Sequence, residues 1–155
     1  MAWTALEQIK NFYVLDDDVA TGGQPAPDQF AAIKNAGFDV VINLALADSP
    51  GAVINEGKII HALGMVYEHI PVDFKHPALD DLDLFFHRMG QHREKKIFVH
   101  CAYNWRVACF MFLYRAIKCR CPVAAALHDL HAVWQPDPVW QNFIEAALDS
   151  YNIKD

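Results

Sequence analysis

Residues 99–115, VHCAYNWRVACFMFLYR, end an apolar run in a histidine and a cysteine, cross a short loop, and re-enter an apolar stretch with Arg106 at the seam. The run before the cysteine, Ile97-Phe98-Val99, predicts a buried strand, and Val107 to Lys118, apolar almost all round, predicts a central buried helix. A hidden strand feeding directly into a hidden helix is the repeating unit of layered α/β domains built on a parallel sheet.

The rest of the chain continues that alternation. Phe12 to Leu15 and Val19 to Thr21 flank Asp16-Asp17-Asp18, which reads as a short hairpin with a solvated turn. Pro27 to Ala36 reads as a helix ended by Gly37, and the β-branched run Val40 to Leu44 as a strand covered on both faces. Ser49-Pro50 predicts a helix start and Gly64 its end, although Gly57 inside it costs about 1 kcal/mol relative to alanine. Val66 to Val72 is the next strand. Leu79, Leu82, Phe85, Phe86 and Met89 recur at helical spacing, with Asp80, Asp81 and Asp83 at the positive end of that helix. Pro122 and Asp137-Pro138 open two more helices. The expectation is one α/β domain over residues 1–155, with a mostly parallel central sheet of about four to five strands flanked by helices.

Composition narrows the function. The 155 residues, 54% hydrophobic, suffice for a sizeable core, and a net charge of −6 provides no general attraction for nucleic acid or an anionic membrane. No stretch reaches the roughly 18 unbroken apolar residues of a membrane span. Met1 to Glu7 lacks the basic start and apolar centre of a signal peptide, so the cytoplasm is the expected location. Three of the four cysteines (Cys101, Cys109, Cys119 and Cys121) fall in or at the end of one apolar segment, which suits reduced thiols better than a disulfide framework. Cys119-Arg120-Cys121, followed by His128 and His131, reads as a helix end, a loop and the next helix, because C-x-C is not the common zinc spacing. Neither a metal nor a cofactor is expected.

In parallel sheets ligands sit in the strand-to-helix loops, and residues 101–106 form such a loop. A helix N-terminus offers unpaired amides and a positive dipole end, which hold oxyanions and favour the thiolate form of a neighbouring thiol. Arg106 adds a planar fork matched to phosphate oxygens. Asn104 suits a tight anion loop because asparagine tolerates left-handed φ second only to glycine. A thiolate and a forked cation around one pocket are the parts for nucleophilic attack on phosphorus. A cysteine that is merely a small buried hydrophobe accounts well for Cys109, but it leaves the arginine heading an apolar helix unexplained.

HCAYNWR, residues 100–106, resembles the phosphate loop of the cysteine-dependent protein phosphatases. Together with GGQPAPDQFAAIKNAGFDVVINL and YEHIPVDFKHPALDDLDLFF, it is similar to the small bacterial branch of dual-specificity-like phosphatases, the beta-lactamase hydrolase-like protein phosphatases. QPDPVWQNFIEAAL echoes that family's terminal helix start, with Asp137 in the place of an asparagine. The likeness runs from about Val14 to Phe143 and implies a cysteine-phosphatase-like fold.

The resemblance implies that Cys101 is the nucleophile, that Arg106 binds phosphoryl oxygens, and that the main chain of Ala102, Tyr103, Asn104, Trp105 and Arg106 donates to the rest. His100 would orient the loop and help keep the thiolate charged, or else be satisfied by backbone at a strand end. Asp73 stands where the family keeps its general acid; His76 is a second candidate proton donor, and Asp80, Asp81 and Asp83 compete weakly. Tyr103 and Trp105 either wall the entrance or pack under the loop. Gln24 either supports the pocket or only follows a glycine-proline turn.

Two positions depart from the family. Four residues separate Cys101 from Arg106, one fewer than in eukaryotic-type members, and Val107 replaces the hydroxyl residue that helps the sulfur leave the phosphoenzyme. The implied function is phosphomonoester hydrolysis through a cysteinyl-phosphate intermediate. The rival readings are a phosphate-binding module without turnover and a rhodanese-like sulfurtransferase. With no lysine in the loop, a phosphorylated protein or small aryl phosphomonoester is favoured as substrate over multiply phosphorylated inositols.

Overall fold

The computed structural model describes residues 4–153; Met1, Ala2 and Trp3, part of the segment assessed above as a leader, lie outside the described residues. After a turn of 3₁₀ helix at Leu6–Gln8 come β1 (Tyr13–Val14), β2 (Val19–Gly22), α1 (Gln29–Asn35), β3 (Val40–Asn43), α2 (Glu56–Ala62), β4 (Val66–His69), α3 (Leu79–Gln91), β5 (Ile97–His100), α4 (Trp105–Leu113), α5 (Val123–Val133) and α6 (Pro138–Ser150). The five strands form one sheet in the order β1-β2-β5-β3-β4. β2, β5, β3 and β4 run parallel, and β1 pairs antiparallel with β2 through the aspartate turn. Within that turn Asp16 Oδ1 accepts from the amides of Asp18 and Val19 at 2.8 Å.

Strand periodicity divides the core in two. Val40, Ile42, Ile97 and Val99 face a layer made by α3 to α6, while the intervening Val41 and Phe98 face α1, α2 and the N-terminal turn. Every residue from Arg106 to Leu113 is buried, so α4 is the central helix that its sequence predicts. It runs on as a π-turn over Tyr114–Lys118, where the amide of Cys119 donates to the carbonyl of Tyr114 at 3.1 Å. Arg115 pairs with Asp129, which also accepts from the Tyr13 hydroxyl, so the hairpin, α4 and α5 are tied at one point. All four cysteines are free thiols, and no metal-ligating cluster occurs among the described residues.

One predicted element is displaced. Ser49-Pro50 does not start a helix: the amide of Ser49 donates to Leu46 and that of Ala52 to Ser49, with Gly51 at φ +76°, and α2 begins only at Glu56. A proline after a capping-type residue suits the second position of a turn as well as the first turn of a helix, and the left-handed glycine that follows decides for the turn. Gly57 has a packing reason in place of a cost: a Cβ there would lie 3.1 Å from the ring of Tyr67.

Candidate active site

The carboxyl ends of β5 and β3 open onto a cleft of about 530 Å³. Cys101, Ala102, Tyr103, Trp105 and Arg106 line its floor and one side, and Asp73 reaches it from the loop after β4. Predicted site residues far apart in sequence are therefore brought together. The cleft also takes in residues that sequence reasoning missed: Asp48, Ser49 and Pro50 from the turn after β3, and Phe74 and Lys75 beside Asp73. Both loops lack the periodicity that marks helices and strands; the Ser-Pro signal points to the first only as a helix start, and in the second only Asp73 and His76 stand out.

The loop owes its shape to close approaches. Asn104 caps α4 at φ +67°, the left-handed conformation expected of it, and is fully buried. Its Nδ2 donates to the carbonyl of Asn11 at 2.9 Å and to the hydroxyl of Thr21 at 3.0 Å, so its side chain points away from the cleft. The glycine that matters in the GGQP stretch is Gly23: a Cβ there would sit 2.6 Å from the carbonyl oxygen of Ala102. The amide of Gln24 then donates to that same carbonyl at 3.1 Å. By helical geometry, the first-turn amides of α4 have no acceptor inside the helix.

Arg106 is 5% exposed, and its Nη1 donates to the carbonyl of Val72 at 2.8 Å. That bond fixes the guanidinium to the loop after β4 that carries Asp73. Its Nε is buried with no partner among the described residues. A buried charged donor without a partner is costly, and an anion relieves it.

Behind the loop, His100 is fully buried and bonded at both ring nitrogens: Nδ1 lies 3.2 Å from the carbonyl of Cys101 and Nε2 lies 2.6 Å from Oε2 of Glu56. A carbonyl can only accept, so Nδ1 carries a proton, and one further proton is shared between Nε2 and Glu56. Wherever that proton sits, the pair is neutral as a unit. Glu56 thus balances the positive charge that His100 would otherwise bring to the nucleophile's side of the sheet. Gln24 does not line the cleft; its Nε2 donates to Oε1 of Glu56 at 2.8 Å, which makes it a support of this pair. Tyr67 lies on the same network, and burial first, then the charge of Glu56, pushes its phenol up to about 12 against the lowering effect of the Asn43 amide.

Asp73 is exposed. Its carboxylate accepts from the amide of Lys75 at 3.0 Å and faces His76 Nδ1 at 3.3 Å, and these two contacts hold its carboxyl below the usual carboxylate range. Asp80, Asp81 and Asp83 lie at the start of α3 away from the cleft, and Asp83 is bonded by the Tyr151 hydroxyl.

An aromatic cluster braces the outer side. Trp105 stacks on Trp134 with centroids 4.9 Å apart and planes within 5°, and Tyr103 meets Trp105 at 5.3 Å. Phe74 touches Trp105, Trp134 and Trp140, and Trp140 Nε1 donates to the carbonyl of Phe74 at 2.9 Å. Tyr103 and Trp105 therefore both wall the cleft and pack against their neighbours.

A cysteine and an arginine on one strand-to-helix loop stand over a cleft at the carboxyl edge of a mostly parallel five-stranded sheet, the arrangement of a cysteine-phosphatase-like fold. No protein-family model and no curated protein sequence matches the chain. Among solved structures it is similar to a candidate phosphatase of the DUF442 type from Shewanella putrefaciens CN-32, at 33% identity and a TM-score of 0.86, over 96% of this chain and 98% of that one. The fold is shared with Tk-PTP in its active form, at 17% identity and a TM-score of 0.77 over 90% of this chain and 97% of that one. It is also shared with TpbA from P. aeruginosa, at 15% identity and a TM-score of 0.73 over 92% and 88%. The chain belongs to the DUF442 family of phosphatase-like proteins.

Proposed function

We propose that Cys101, Arg106 and Asp73 carry the reaction, with residues 1–155 acting as one phosphatase domain in the cytoplasm on a phosphorylated protein or a small aryl phosphomonoester. The sulfur of Cys101, as thiolate, attacks phosphorus; an S–P bond forms as the ester P–O bond breaks, and the leaving oxygen takes a proton from Asp73. Water then attacks the phosphocysteine, Asp73 takes back a proton, and inorganic phosphate leaves with the thiolate restored. Arg106 and the loop amides hold the phosphoryl oxygens through both steps. The lowered carboxyl of Asp73 in the free protein is compatible with the acid role, because an incoming phosphate dianion opposes ionisation of a neighbouring carboxylate.

The observation that carries this reading is Arg106, which lines the same cleft as Cys101 and whose buried Nε has no partner among the described residues. The test is release of phosphate from phenyl phosphate in the presence of a chelator. Cys101→Ser should abolish release while keeping anion binding, and Arg106→Lys should weaken both. Full activity of Cys101→Ser, or its loss in chelator by the wild type, overturns the reading, and thiosulfate–cyanide sulfur transfer would replace it.

A further inference from the structure

A second compartment of about 570 Å³ adjoins the cleft, and the two share Tyr103 and Pro50 as a common ridge. We infer that this compartment receives the polypeptide on one side of the phosphorylated residue, and that Lys10 receives an acidic side chain there. The inference rests on the phosphatase reading above and names the substrate class of that same site.

The two compartments differ in charge. The cleft has Asp48 and Asp73 beside Lys75 and Arg106, whereas Lys10 is the one charged side chain among the described residues lining the second compartment. In a chain of net charge −6, a cavity of that size without a carboxylate in its lining stands out. Lys10 is exposed, and no carboxylate pairs with it among the described residues. Its Nζ lies 4.6 Å from the centroid of the Tyr103 ring, on the ridge itself.

The position of Lys10 is built into the loop. Its carbonyl accepts from the amide of Gly23 at 2.7 Å. The next residue, Asn11, donates from Nδ2 to the carbonyl of Tyr103 at 2.8 Å and accepts from Asn104 at 2.9 Å. The lysine's backbone is therefore fixed relative to the phosphate loop, and its cation stands at a set place beyond the phosphoryl site. Pro27 and Pro50 add exposed apolar edges, which suit an extended chain. A single lysine, without a guanidinium fork or a second cation, matches one carboxylate better than a second phosphoryl group. The occupant is thus a phosphorylated polypeptide with aspartate or glutamate near the phosphorylated residue.

The test uses Cys101→Ser protein, so binding is read without turnover, and four probes: phenyl phosphate, two phosphotyrosine peptides whose neighbouring residues are glutamates or lysines, and a bisphosphorylated peptide. The glutamate peptide should bind more tightly than the lysine peptide. Adding Lys10→Glu should lower the glutamate-to-lysine affinity ratio by about five- to tenfold at low ionic strength, with the effect shrinking in high salt. A ratio unmoved by Lys10→Glu, or equal affinity for both peptides and phenyl phosphate, overturns the subsite. Tighter binding of a bisphosphorylated probe than of the glutamate peptide also overturns it, in favour of a second phosphoryl site. Absence of phosphate release by the wild type bears instead on the catalytic reading, which this binding ratio does not require.

Discussion

Asn11 and Asn104 are laced to each other across the phosphate loop. Nδ2 of Asn104 donates to the carbonyl of Asn11 at 2.9 Å, while Nδ2 of Asn11 donates to the carbonyl of Tyr103, the residue before Asn104, at 2.8 Å. Both residues hold left-handed backbone, at φ +51° and +67°. Replacing Asn104 separates the two contributions. Asn104→Ala loses buried hydrogen bonds and adds left-handed strain, so a loss of about 2–4 kcal/mol is expected. Asn104→Gly relieves the strain and should recover about 1 kcal/mol of it. Denaturant midpoints of the two variants measure the split, and kcat/KM should fall in both. Equal stability of the two would place the value of Asn104 in its side-chain bonds alone.

Glu56 is expected to matter for stability more than its position suggests. Glu56→Ala leaves His100 buried with an unanswered Nε2, so it should cost about 3–5 kcal/mol, while Glu56→Gln keeps a hydrogen-bonding partner and should cost less. Urea unfolding of the two variants gives the comparison. Loss below about 1 kcal/mol in Glu56→Ala would show that water or a shifted side chain takes over the carboxylate's place.

These two sites show unequal legibility in the sequence. Asn104 was readable because one backbone conformation explains its presence in an anion loop. Glu56 was not: it looks like an ordinary acidic residue in a first helical turn, and only the fold brings it under His100. The buried strands and α4 were legible because apolar runs are driven inside wherever they occur. Ser49-Pro50 forms a turn where a helix start is expected, because Ser-Pro serves a helix cap and a turn alike and the left-handed Gly51 that follows decides for the turn. Lys10 carried no signal, since a lone exposed lysine has no periodicity to place it.

Asp73 should show itself through leaving groups and pH. Asp73→Asn is expected to slow phenyl phosphate by about 10²–10⁴-fold while slowing p-nitrophenyl phosphate much less, because a good leaving group needs little protonation. The contact with His76 favours the ionised carboxylate, so removing it raises the acid's pKa. The basic limb of kcat/KM in His76→Ala should therefore move to higher pH. A limb that stays in place would separate His76 from the titrating group, and equal slowing of both esters would remove Asp73 from the acid role.

Trp140 anchors the segment that presents Asp73. Trp140→Phe keeps most of the packing and removes the Nε1 bond to the carbonyl of Phe74, at a cost of about 1 kcal/mol. The expected signature is kinetic as well: phenyl phosphate hydrolysis falls more than p-nitrophenyl phosphate hydrolysis, since the acid's aim is loosened. Parallel loss on both substrates would assign Trp140 to the core alone.

Val107 predicts the slow step. Fully buried behind the loop, it offers the departing sulfur no hydroxyl, so phosphoenzyme breakdown should limit kcat and give a burst of p-nitrophenol in the first turnover. Val107→Thr should raise kcat severalfold with kcat/KM little changed. Linear release from the first moment in the wild type would place the slow step before the phosphoenzyme.

The stacked indoles of Trp105 and Trp134 have an optical consequence. Two near-parallel rings at 4.9 Å share their excited states, and one of them borders the cleft. The near-ultraviolet circular dichroism of the protein should therefore carry an aromatic band that weakens when either indole is replaced. Vanadate or a phosphopeptide settling against Trp105 would alter that band directly, so occupancy can be followed in the unlabelled protein by light alone.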